Sequence, residues 1–136
     1  MSIPNWITFS KNTQGLFEIF SKEEFPDVSS ISLHEIIFNR DGPAVTLNFD
    51  LGSFPKTPPK KWAESGYNTV KLKLTAIGVT RVLLDGLFTN MSGKLAAEKL
   101  NEACSLTFTM DSGRSLLHIE CVALVIVSMS AYCCRE

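Results

Sequence analysis

Across residues 36–74 the chain alternates, turns, alternates again, crosses a proline-rich loop and then resumes its alternation. Val45, Leu47, Phe49 and Leu51 occupy every second position, separated by Thr46, Asn48 and Asp50. A period of two sends successive side chains to opposite faces of an extended chain, so this stretch reads as a half-buried strand. Ahead of it, Asn39-Arg40-Asp41-Gly42-Pro43 is a turn in which Gly42 supplies a positive φ. The apolar run at 36–38 therefore pairs back on residues 45–51 as a hairpin. Beyond the loop, Val70, Leu72 and Leu74 alternate with Lys71, Lys73 and Thr75, again with one face in and one face wet. Strand signals dominate these segments, and the lack of βαβ patterning argues against a nucleotide-binding sheet.

Strand signals continue on both sides. Ile31 and Leu33 alternate with Ser30, Ser32 and His34; if that strand is regular, His34 and Glu35 point to opposite faces. Three apolar residues in a row at 36–38 call for cover on both faces or for a bulge. Gly78 bends or breaks the run before a strand at 79–84. Leu106 and Phe108 mark a strand, Asp111-Ser112-Gly113 a turn, and Leu117, Ile119 and Cys121 its return, followed by a last strand around 124–129. Two segments read as helical. Leu16, Phe17, Ile19 and Phe20 follow an Asn12 or Thr13 N-cap, giving a helix over about 12–21, and Pro26 ends it. The KLAAEKLNEA run (94–103) consists of helix formers, with Leu95, Lys99 and Leu100 spaced for a short amphipathic turn. The expected fold is α+β and mainly antiparallel. It has seven or eight strands in a sandwich or curved sheet, with one or two short helices, as one domain over 1–136 whose β-rich body spans about 28–132.

Thirteen basic and fourteen acidic residues leave a net charge of −1, without the basic excess that nucleic-acid binders carry. The apolar run at 121–129 is too short to span a bilayer and meets Glu120 and His118 when extended backward, so no membrane partner is expected. The first residues show neither a basic segment nor a continuous apolar one, and Cys104, Cys121, Cys133 and Cys134 all fall in the last third. That distribution fits a reduced, cytoplasmic protein in which Cys104 and Cys121 pack as small hydrophobes. No phosphate loop, hydrolase elbow or metal-ligand spacing is present, so no cofactor is expected. His118 and Glu120 share a strand face, and an ordinary polar face gives the same spacing; a hydrolase built on them requires both to line one cleft. Nucleophilic catalysis by Cys133 or Cys134 would require a positioned base.

The loop at 54–62 holds a PxxPxK pattern of the kind read by SH3-type grooves. Between two strands of one sheet, its prolines more simply stiffen a long crossover, with Phe54 and Trp62 fastening the ends. The state of Trp62 separates the two readings: buried for a fastener, exposed for a ligand motif.

Taken in order, the chain shows Ile19-Phe20, Phe25-Pro26, the Arg40-Asp41-Gly42-Pro43 turn, a PP-x-x-W element in which Pro59 leads through Lys60 and Lys61 to Trp62, then Gly66 and Val70-x-Leu72-x-Leu74. This ordered set resembles the immunity protein 50 family over about residues 6–87. The resemblance implies a bacterial, cytoplasmic, non-enzymatic protein that binds a cognate polymorphic-toxin domain and blocks it. Where family members carry an aromatic or a His-Asp pair after the phenylalanine-proline element, this chain reads Pro26-Asp27-Val28-Ser29. Contact residues expected under that reading are the acidic Glu23, Glu24 and Asp27, together with Lys56, Lys60, Lys61 and Trp62 of the loop. The alternative is a β-rich module for a small molecule or carbohydrate, which requires an apolar pocket with convergent polar groups.

Overall fold

A computed structural model describes residues 10–11 and 28–133 of the 136-residue chain. The helix expected over 12–21, and with it Glu23, Glu24 and Asp27, lies outside the described residues. The hairpin forms as its alternation demands: β2 (Ile31–Asn39) pairs antiparallel with β3 (Ala44–Leu51), Phe38 opposite Val45 and Ile36 opposite Leu47. Gly42 takes φ 63° in the turn. Strand β4 (Thr69–Ile77) lies along the other side of β3, with Leu74 opposite Leu47 and Leu72 opposite Phe49.

The proline loop carries one helix that the sequence reading did not anticipate, α1 (Lys60–Ser65). It ends on Gly66 at φ 70°, where the Tyr67 N–H reaches the Trp62 carbonyl at 3.2 Å, a glycine stop that closes the last turn. Trp62 is half-buried, packed against the core and tilted on Phe54 at a centroid distance of 6.1 Å. That is the geometry of a fastened crossover.

The remaining regular elements are strands: β5 (Arg81–Leu84), β6 (Ser92–Leu100), β7 (Ala103–Met110), β8 (Ser115–Cys121) and β9 (Ala123–Tyr132). Together with the two-residue β1 (Ser10–Lys11) they make one open sheet in the order β1-β9-β4-β3-β2-β6-β7-β8-β5. Every pairing is antiparallel except β1 with β9. The helical reading of residues 94–103 is therefore overturned, because they form most of β6. Leu95 and Ala97 are buried and Lys94 and Glu98 are exposed, so period-two burial against β7 overrides the helix propensity of the individual residues.

The sheet has two halves, β9-β4-β3-β2 and β6-β7-β8-β5, whose inner faces bury into one cluster. Leu47, Phe49, Leu72 and Leu74 come from the first half, and Leu106, Phe108, Leu117 and Ile119 from the second. Two corners let the sheet fold over this core. At one, β2 touches β6 through two residue pairs only, Ile31 with Gly93 and Ser32 with Ser92. A Cβ on Gly93 would run into the Thr109 carbonyl oxygen, so the close approach needs glycine. At the other corner the chain itself crosses twice. Strand β4 continues through Gly78 into β5, and β8 continues through Val122 into β9, held by Val122 N–H to Ile77 O and Thr80 N–H to Glu120 O, both 2.9 Å. Gly78 has φ 62°, and a side chain there would meet that of Val122.

Candidate partner-binding surface

Two features leave the ordinary pattern of a polar outer face. The first is a polar cleft on the first half. In β2 the register slips between Leu33 and Glu35, a bulge that leaves His34 without a partner across the ladder. The bulge corrects the expectation that His34 and Glu35 diverge, since both reach outer-face residues of β3. His34 Nε2 lies 2.7 Å from Asp50 Oδ2, and Glu35 Oε1 accepts from Asn48 Nδ2 at 2.7 Å. The Tyr132 hydroxyl at the end of β9 donates to the same Asp50 Oδ2. Asp50 is buried, 8% exposed, and its Oδ1 is enclosed with no hydrogen-bond partner among the described residues. Leaving a buried acceptor unanswered costs about 1–3 kcal/mol, more when it is charged. Around this group opens a cleft of about 460 Å³, lined by His34, Asp50, Thr69, Ser92, Asp111 and Tyr132 among others.

The second feature is apolar. Strand β5 is an edge of the sheet, paired on one side with β8. Leu83 and Leu84 on it, and Leu87 and Phe88 just beyond, are exposed, Leu87 to 74%. The Arg114 guanidinium caps this group, 5.2 Å over the Phe88 ring and 3.0 Å from Asp85 Oδ1. Leu83 and Leu84 are neighbours on the strand and face opposite sides of the sheet, so apolar side chains flank this edge on both faces, a feature that protein-contact edges share. The two features approach each other through the β7–β8 turn, which contributes Asp111 to the cleft and Arg114 to the apolar group.

The sequence-predicted residues fall elsewhere. Lys56, Lys60 and Lys61 are exposed on the loop and α1, and Lys60 Nζ stands 3.8 Å from Glu64. Trp62 faces the core beneath them. None of the four lines the cleft or the apolar edge. The second half carries the expected His118–Glu120 pair at 3.0 Å, with Thr107 Oγ1 3.0 Å from His118 Nδ1 and Arg81 3.8 Å from Glu120. His118 lines an outer-face depression of which Glu120 is not a part.

Sequence reasoning missed Asp50, Tyr132 and the apolar edge. A signal existed for two of them. Aspartate is disfavoured inside strands, so Asp50 at the end of the clearest alternation needed a reason, and LLDGLF at 83–88 packs four large apolar residues around a turn. Nothing in the sequence placed Tyr132 beside Asp50.

Cys104 and Cys121 are buried directly across β7 and β8 with sulfurs 3.5 Å apart, as small hydrophobes. Burial, reinforced by the Cys104 thiol alongside, pushes the Cys121 thiol up to about 12, so it is an inert proton holder at neutral pH. Among the described residues, no helix is long and apolar enough to cross a membrane.

The model of the family Immunity protein 50 matches residues 12–132. The chain belongs to this family. The match extends through β9, past the region where the sequence motifs resembling Immunity protein 50 fade. No curated protein and no solved structure matches the chain.

Proposed function

We propose that this member of the Immunity protein 50 family acts in the bacterial cytoplasm as the stoichiometric inhibitor of a cognate polymorphic-toxin domain. It binds the toxin and covers its working surface, with no chemistry of its own. The observation that carries the reading is the set of exposed apolar side chains along and just beyond the β5 edge, Leu83, Leu84, Leu87 and Phe88, in a chain whose family is one of immunity proteins. An occluding protein needs a few apolar and aromatic anchors inside a polar rim, and Arg81, Asp85 and Arg114 supply that rim. The edge strand also offers unpaired backbone groups to a strand of the toxin.

The test is coexpression with the toxin gene encoded beside it. Wild-type protein should rescue growth and copurify with the toxin in one complex, and cells that die as readily with it as without it refute the reading. Leu87→Asp with Phe88→Asp should weaken the complex by about 2 kcal/mol or more, roughly thirtyfold, as expected for interface anchors. Thermal unfolding of the free Leu87→Asp single variant should barely move, because Leu87 buries little.

A further inference from the structure

We infer that the cleft over Asp50 is a receptor for a cationic side chain, arginine or lysine, presented by the bound partner protein. The source of that cation rests on the immunity reading; the cation site itself does not.

The argument begins with one atom. Asp50 Oδ2 already takes two hydrogen bonds, from His34 and Tyr132, while the enclosed Oδ1 takes none. A buried carboxylate oxygen is answered in nearly all folded proteins, so the one without a donor points to a donor that arrives through the cleft Asp50 lines, where a turn of the carboxylate brings Oδ1 to it. Charge selects the kind of donor. The cleft lining holds two carboxylates, Asp50 and Asp111, with His34 and several hydroxyls but no lysine or arginine. The nearest lysine in register is Lys71, directly opposite Asp50 on β4, and its Nζ lies over the Tyr132 ring, 5.7 Å from the centroid. Within ion-pair distance, His34 is the basic group that Asp50 has among the described residues. An incoming anion would meet two like charges, and an apolar group would leave Oδ1 as it is. A guanidinium or ammonium brings several N–H donors to the carboxylate and to the hydroxyls of Thr69 and Ser92.

Position selects the source. Asp111 at the cleft and Arg114 on Phe88 sit on one four-residue turn, so a protein seated on the apolar edge brings its surface to the rim of the cleft. A small free cation has no need of that neighbourhood.

The experiment titrates N-acetyl-arginine-N-methylamide into the isotope-labelled full-length protein and follows the ring signals of His34 and Tyr132. Saturable shifts at millimolar probe are expected, with none from the leucine analogue. Asp50→Asn should weaken binding roughly tenfold or more. Because that variant disturbs a buried network, a second one leaves Asp50 in place. Ser32→Lys, directly across the β2–β3 ladder from Asp50, supplies a resident ammonium and should abolish probe binding. Absence of saturable shifts in the wild type, or unchanged binding in Ser32→Lys, overturns the site. With the toxin coexpressed, Ser32→Lys should protect less well than wild type. If it protects fully while the arginine probe binds the wild type, the cation does not come from the toxin and the proposal fails. A wild type that binds the probe but never protects refutes the immunity reading instead, and the toxin-free titration tells the two failures apart.

Discussion

The outer faces of the two half-sheets each carry a histidine bonded to a carboxylate, and the two pairs are built on opposite terms. On the second half, His118 and Glu120 sit two apart on one strand, each side chain 30% exposed, with Thr107 on the ring's other nitrogen. Water reaches the whole group, so it is an ordinary solvated ladder. On the first half, His34 is 46% exposed but its acceptor, the Asp50 side chain, is only 10% exposed and lies on a different strand. Histidine and carboxylate are within hydrogen-bond distance in both, at 2.7 and 3.0 Å. Separation therefore fails to distinguish a site from a surface. The depth of the acceptor does so, because desolvation is what makes an unanswered oxygen expensive.

The contrast holds only if both halves belong to one cooperative unit. Phe49 and Phe108 are fully buried, one in each half, and truncating either to alanine should cost about 3–5 kcal/mol in urea unfolding, with a single transition retained. Two separate transitions would mean that the halves are independent. The next effect separates the two polar groups. Tyr132→Phe removes a donor from buried Asp50 and should cost about 1.5–3 kcal/mol, whereas Glu120→Gln should stay within about 0.5 kcal/mol. Equal losses would erase the distinction drawn from depth.

A third test uses pH. The ordinary cysteine value is 9.0, and in the folded chain Cys121 is pushed up to about 12. Between these values the unfolded thiol loses its proton while the folded one keeps it, so folding binds protons. Stability is then undiminished below about pH 9 and falls as pH rises, by up to about 1.4 kcal/mol per unit. The comparison is with the double variant Cys104→Ala, Cys121→Ala, whose unfolding should lack the extra drop. The smallest effect is expected at Arg81→Gln, whose 3.8 Å ion pair with Glu120 is exposed and should contribute less than about 0.5 kcal/mol, fading with salt.

Much of the fold is legible in the residues, and the parts that are not share a cause. The β2–β3 hairpin, β4 and the β7–β8 hairpin follow from strict alternation and turn chemistry at Gly42 and Gly113, which act over a few residues. Strand β6 hides behind Ala, Glu, Lys and Leu, because its burial pattern comes from β7 and not from local preference. The cleft is the least legible element. Its histidine reaches Asp50 from a one-residue bulge, and its tyrosine comes from the far end of the chain, 82 positions from the aspartate it serves. A hydrogen bond spanning that separation exists only once the sheet has assembled.

The crossing of the chain at the second corner also sets a timetable. Strand β4 pairs with β3 early in the sequence, but its other side waits for β9, the last strand described. During synthesis β4 stands as an open edge until β9 has left the ribosome, and pairings so distant in sequence form slowly. Lys71 and Lys73, alternating with Val70, Leu72 and Leu74, place two charges along that waiting edge and discourage other nascent chains from adding to it. Closure of the first half of the sheet thus waits for the arrival of β9, however early its neighbours have paired.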